Sequence, residues 1–182
     1  MALAPRGWDA ALLHFWFHEL TPRDWWGGSP ALDARIAHRF GETLAMLAGR
    51  PASEFLGNRL TARAAILLFD QVPRNIHRGT PRAFATDPLA RAIASAAIAR
   101  GFGQGLMQHE RAFLAMPLMH SEAIADQRAS LAWFRTIPGN FGFARAHYRM
   151  VARFGRFPHR NAILSRRSSP AEERAIAAGN VW

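Results

Sequence analysis

Three short stretches of this chain crowd together side chains able to bind anions or move protons. In FDQVPRN, Asp70, Gln71, Arg74 and Asn75 fall within six residues. Arg74 offers a planar fork suited to a carboxylate or phosphate, and Asn75 adds a neutral donor and acceptor. The same arginine at a helix end can instead satisfy free backbone carbonyls, a purely structural use. In GRFPHRN, Arg156, His159, Arg160 and Asn161 follow Gly155, which is free to take the positive φ that ends a helix. Phe157 and Pro158 should pack this second turn down, so its arginines need partners. If Arg160 is buried against Asp70 or Glu122, breaking the pair costs about 3 to 5 kcal/mol. In PLMHSEAIADQ, His120 and Glu122 flank Ser121, with Asp126 and Gln127 about one turn later.

These residue types limit the chemistry. A serine triad needs nucleophile, base and orienting acid to meet in space, which neighbours at one helix start seldom do. His120 with Glu122, joined by His159 or His147, has metal-ligand atoms but the spacing of no zinc motif. His14 and His18 in HFWFHE stand one helical turn apart, without the glutamate and downstream ligand of a zinc-protease helix. No metal and no cofactor is therefore expected. The paired tryptophans of RDWWGG read as a loop that covers the core. Arg145, Arg149 and Arg153 recur every fourth residue; like charges so spaced repel, and acidic side chains of a neighbouring helix are expected to offset them.

The elements that position these groups are helical throughout. The first helix is expected over Asp9 to Glu19. Ser29 and Pro30 form an N-cap and first residue, and Leu32, Ile36, Phe40, Leu44 and Leu47 follow at helical spacing. A third helix runs from about Thr61 to Gln71 and stops where Val72 precedes Pro73. Asp87 and Pro88 open a helix that Gly101 closes. Gln104 to Ala115 is the next, ending before Pro117. Ser121 caps another, terminated by Pro138 and Gly139, and Asn140 caps FGFARAHYRMVARF with Phe141, Ala144, Tyr148 and Val151 inward. Ser169, Pro170 and Glu172 form a capping box for a short last helix. No segment alternates long enough for a half-buried strand, so the architecture is all-α, a bundle or a stack of helical hairpins. No 34-residue self-similarity stands out.

The 182 residues suit a single compact domain, and 49% apolar with 20% charged residues is the balance of a soluble globular protein. Without cysteine there is neither a disulfide nor a thiol nucleophile. The amino-terminal stretch lacks an uninterrupted apolar run, and nothing approaches the roughly twenty apolar residues of a membrane span. Cytoplasmic residence and no membrane partner are the expectation. The net charge of +10 raises nucleic acid as a partner. All 23 basic residues are arginine and they are spread along the chain, which speaks for solvated arginine and against a nucleic-acid surface.

The stretches LLFDQVPRNIHRGTPRAFATDPLA, PLMHSEAIADQ and FGRFPHRNAILSRRSSPAEE, with HFWF before them, resemble in order the bacterial family known as domain of unknown function 924, over roughly Ala10 to Ala177. The resemblance implies a tetratricopeptide-like fold, two-helix units stacked into a right-handed superhelix, and implies no reaction. Asp70, Gln71, Pro73, Arg74, Asn75, His120, Ser121, Glu122, Asp126, Gln127, Gly155, Arg156, Pro158, His159, Arg160 and Asn161 match its pattern. Ser165 departs from it, where glycine before Arg166 is usual.

Three functions follow as expectations. The first is a polar, arginine-rich pocket, built by both Arg-Asn turns and the His120 to Glu122 segment, for a small anionic ligand or a peptide carboxylate. Arg74→Leu or Arg160→Leu should then abolish binding with the thermal midpoint nearly unchanged. The second is a hydrolase-like enzyme with His159 or His120 as general base. The third is a helical-repeat scaffold for protein partners. Oligomeric state is open.

Overall fold

A computed structural model describes residues 5–180. Among them the regular elements are all helical: α1 (Trp8–His14), α2 (Pro22–Gly27), α3 (Pro30–Leu47), α4 (Arg59–Ile76), α5 (Asp87–Ala99), α6 (Gln108–Met119), α7 (Ile124–Phe134), α8 (Pro138–Phe154) and α9 (Pro170–Ala177). A π-helical turn over Phe15–Glu19 continues α1, and 3₁₀ turns cover Ala52–Phe55, Pro81–Phe84 and Pro158–Arg160. The chain divides into two compact units. The first holds the residues up to Arg78 together with Arg82–Pro117, and the second holds Gly79–Pro81 with the residues from Leu118 onward.

In the first unit α4 packs against α1, α3 and α5. That explains why it is buried nearly all round from Ala64 to Pro73 rather than along one stripe. Ala62, Ala64 and Ala65, fully buried, let neighbouring backbones approach. Ser29 accepts from the Leu32 N–H at 3.2 Å and caps α3 as its spacing predicts. The tryptophan pair lies on a short helix, not in a loop: Thr21 and Asp24 form a capping box for α2. Trp25 donates to the Trp16 carbonyl at 2.8 Å, while Trp26 stacks on Phe113.

The stops expected at Pro73 and Pro117 are overturned, since α4 runs on through Pro73 and α6 through Pro117. At Pro73 the physical reason is visible. Proline removes the N–H that the Phe69 carbonyl would accept; the Thr86 hydroxyl donates to that carbonyl instead, at 2.6 Å. The next two carbonyls are also taken by side chains, Asp70 O by Arg74 at 2.5 Å and Gln71 O by Asn75 at 2.9 Å. With these acceptors satisfied, the helix has no reason to stop.

In the second unit α7 packs on α8, and α9 on the 3₁₀ turn at Pro158–Arg160. Its core gathers Met150, Val151, Phe157 and Ala175 with Phe154 against them. Helix α8 begins at Pro138, so Asn140 lies inside its first turn and does not cap it. Its buried face is Ala144, His147, Met150 and Val151; Phe141 and Tyr148, expected inward, are half-buried. Gly155 takes φ 71° and closes α8, and the Ser169 and Glu172 capping box opens α9.

Candidate functional site

The first turn is a lock at the end of α4. Asp70 is 1% exposed, and its carboxylate accepts from Gln71 Nε2 at 2.5 Å and lies 3.3 Å from Arg74. The Arg74 fork bonds Asp87 through both nitrogens, at 2.8 and 2.9 Å. Burial alone would ease the proton off Arg74, but the Asp70 and Asp87 charges outweigh it and raise its pKa. Asp87 therefore spends its carboxylate on Arg74, and Thr86 occupies the N-cap position of α5. Asn75 gives its amide to Gln71 O and accepts from Arg78 at 3.3 Å. What looked like a planar fork open to a ligand is one already filled by a carboxylate.

The second unit brings the other candidate side chains around Phe157. The Arg160 guanidinium sits 4.6 Å from the centre of that ring, His159 5.7 Å away, and His147 meets it edge-on at 5.4 Å. His120 lies 6.2 Å from His147. The backbone here is clamped by Glu122, which accepts from the Phe157 N–H at 2.8 Å and from both terminal nitrogens of Arg166 at 2.7 and 2.9 Å. Arg166 also donates to Phe157 O at 3.2 Å. Burial would raise the Glu122 carboxyl, yet Arg166 and the Phe157 N–H hold it below the ordinary carboxylate range.

Arg156, counted with this cluster in the sequence, is turned to α9. It bonds Glu172 at 2.7 and 3.0 Å and Arg167 O at 2.9 Å. Arg156 together with the Ser169 cap pushes Glu172 down to about 2. Asn161 is fully buried and donates to Ser168 at 3.1 Å. Ser121 bridges Ala123 N and Asp126, and the buried Gln127 amide takes up the Leu118 and Met119 carbonyls at the end of α6 and the Ser121 carbonyl just after it.

The buried His147 and the partly buried His159 are both pushed toward the neutral form. His147 donates its Nδ1 hydrogen to Phe143 O at 2.9 Å. Burial above all, then the neighbouring His120, Arg160 and His159, depresses its pKa to about 3. His159 is pushed down to about 4, by burial first and then by Arg160, against the pull of Glu122. No three His, Asp or Glu side chains converge as metal ligands among the described residues. His14 and His18 lie near each other at the surface, ring centres 5.4 Å apart and tilted by 33°.

Sequence reasoning passed over Arg166 as the partner of Glu122, Asp87 as that of Arg74, and His147 as an inward residue of α8. Only for Ser165 was there a signal: it has φ 54°, the single non-glycine residue with positive φ among those described, directly before Arg166. A left-handed conformation favours glycine, which accords with the glycine that the family resemblance implies at this position.

An all-helical chain with two such locked turns has a close relative in a solved structure. A protein of unknown function from Agrobacterium tumefaciens shares 37% identity and superposes with a TM-score of 0.88, covering 94% of this chain and 97% of its own. The model of the bacterial proteins of unknown function DUF924 matches residues 12–180, and the chain belongs to that family. No curated protein matches the sequence. No helix among the described residues is long and apolar enough to cross a membrane.

Proposed function

We propose that the second unit binds a small anion, a carboxylate or a phosphate, at the turn where Arg160 and His159 lie over Phe157 with His120 and His147 beside them. The observation that carries this reading is the gathering of one guanidinium and three imidazoles at this turn: Arg160 lies 4.6 Å, His147 5.4 Å and His159 5.7 Å from the centre of the Phe157 ring, and His120 lies 6.2 Å from His147. A bound anion adds negative charge beside these cationic and titratable groups and favours a proton on the imidazoles, so affinity should strengthen as pH falls from 7 toward 5. Asp70, Gln71, Arg74, Asn75 and Arg156 serve the scaffold in this reading, because their polar atoms hold carboxylates and carbonyls of the chain itself.

Binding is favoured over general-base catalysis because an imidazole at about 4 is a weak base at neutral pH. The test is calorimetric titration of inorganic phosphate and of acetate at pH 6 and 7. Arg160→Gln should weaken binding by about tenfold or more and Arg160→Lys by less, since a charge-assisted bond is lost in the first and kept in the second. Absence of saturable binding to the unmodified protein, or equal affinity in Arg160→Gln, overturns the proposal.

A further inference from the structure

The arginine ridge of α8 is the sequence feature that the proposed anion site leaves unused. Residues 127–155 hold Arg128, Arg135, Arg145, Arg149 and Arg153 and no aspartate or glutamate. Among the described residues, no acidic side chain pairs with Arg145, Arg149 or Arg153 in the way expected. Arg135, Arg145 and Arg149 are exposed, and among the described residues their guanidinium groups make no hydrogen bond or ion pair. Elsewhere carboxylates are matched to arginines, as Glu19, Asp33, Glu110, Glu122 and Glu172 show. These three guanidiniums border a groove of about 440 Å³ between α7 and α8, with Leu131, Phe141 and Tyr148 in its walls.

We infer that this groove docks an acidic segment of a partner protein, with an apolar side chain seated on Leu131 and flanking carboxylates on Arg135, Arg145 and Arg149. Charge complementarity selects the partner's sign. Arg145 and Arg149 repel at i and i+4, and a carboxylate set between them relieves that repulsion. The apolar walls select its shape. Leu131 and Ala132 give a leucine-like anchor an aliphatic surface, and the Arg145 guanidinium lies 5.9 Å from the centre of the Phe141 ring, where it competes with a stacking base. Planar forks match carboxylates two atoms at a time, which fixes register along the segment.

The experiment uses the full chain and fluorescence anisotropy of a short dye-labelled peptide of glutamates around a central leucine. Two controls accompany it: the same peptide with glutamine in place of glutamate, and labelled oligothymidylate. The groove variant carries Arg145→Glu with Arg149→Glu. A variant of equal charge change outside the groove carries Arg153→Glu with Arg174→Glu. All four positions are exposed, so both variants should keep the helical circular dichroism of the parent. Expected are saturable binding of the acidic peptide, none of the glutamine peptide, a loss of at least about tenfold in the groove variant and less than about twofold in the control. No binding of the acidic peptide, equal losses in both variants, or tighter groove-dependent binding of oligothymidylate would each overturn the inference. The last outcome would assign the groove to nucleic acid.

Discussion

Acid should loosen this protein through His147 in particular, and the size of the effect can be worked from its surroundings. The ring is 4% exposed, packs edge-on against Phe157, and faces His120, His159 and Arg160. The unfolded imidazole takes a proton near pH 6.5, whereas the folded one waits until about 3. Between those values the unfolded chain binds the extra proton, so stability falls as pH falls below 6.5 and the loss is complete near 3. At about 1.4 kcal/mol per pH unit, the loss is about 2 kcal/mol at pH 5 and about 3 kcal/mol at pH 4. His147→Leu removes the titration while roughly keeping the volume. Urea denaturation at pH 7 and pH 5 for both proteins isolates the term, because the other titrating groups are common to them. The parent should lose about 2 kcal/mol more than the variant over that interval. In parallel, the His147 ring resonance should stay at its neutral position down to about pH 4. If the two proteins lose stability equally, or the resonance moves near pH 6, the buried neutral imidazole is refuted.

Three further outcomes test the local arguments. Arg74→Leu strands the buried Asp70 beside Asp87 and should lower stability by about 3 to 5 kcal/mol, measured by chemical denaturation; an unchanged midpoint would restore Arg74 as a residue free to bind ligand. Thr86→Val leaves the Phe69 carbonyl at Pro73 without its donor and should cost about 1 to 3 kcal/mol, with faster amide exchange in the last turn of α4 as the local signature. Ser165→Gly relieves a left-handed backbone and should raise stability by about 1 kcal/mol; a thermal midpoint that falls would show the serine making a compensating contact.

Much of the helical plan was legible because it depends on near neighbours. Caps such as Ser29 and Ser169 act within three residues, and the apolar spacing of Leu32, Ile36, Phe40, Leu44 and Leu47 is a property of one helix. The family resemblance, carried by motifs in order, was likewise a matter of sequence alone and is borne out over residues 12–180. Two of the errors share one cause. Pro73 and Asp87 were read by local rules that the distant Thr86 and Arg74 override. A third was local: α8 begins at Pro138 itself, a residue suited to a first helical turn, ahead of the Asn140 expected as its cap.

For the polar residues, the sequence by itself determined which groups this protein has and which of them cluster along the chain. It could not determine how their charges are spent. An arginine bonds a carboxylate through two atoms at under 3 Å, and whether that carboxylate is Asp87, Glu172 or a ligand's is decided by how the backbone brings distant segments together. Tertiary structure gave Arg74 to Asp87, Arg156 to Glu172 and Arg166 to Glu122, and left Arg135, Arg145 and Arg149 facing a groove without an acid. Burial did the rest, since only a folded chain can strip water from His147 and hold it neutral.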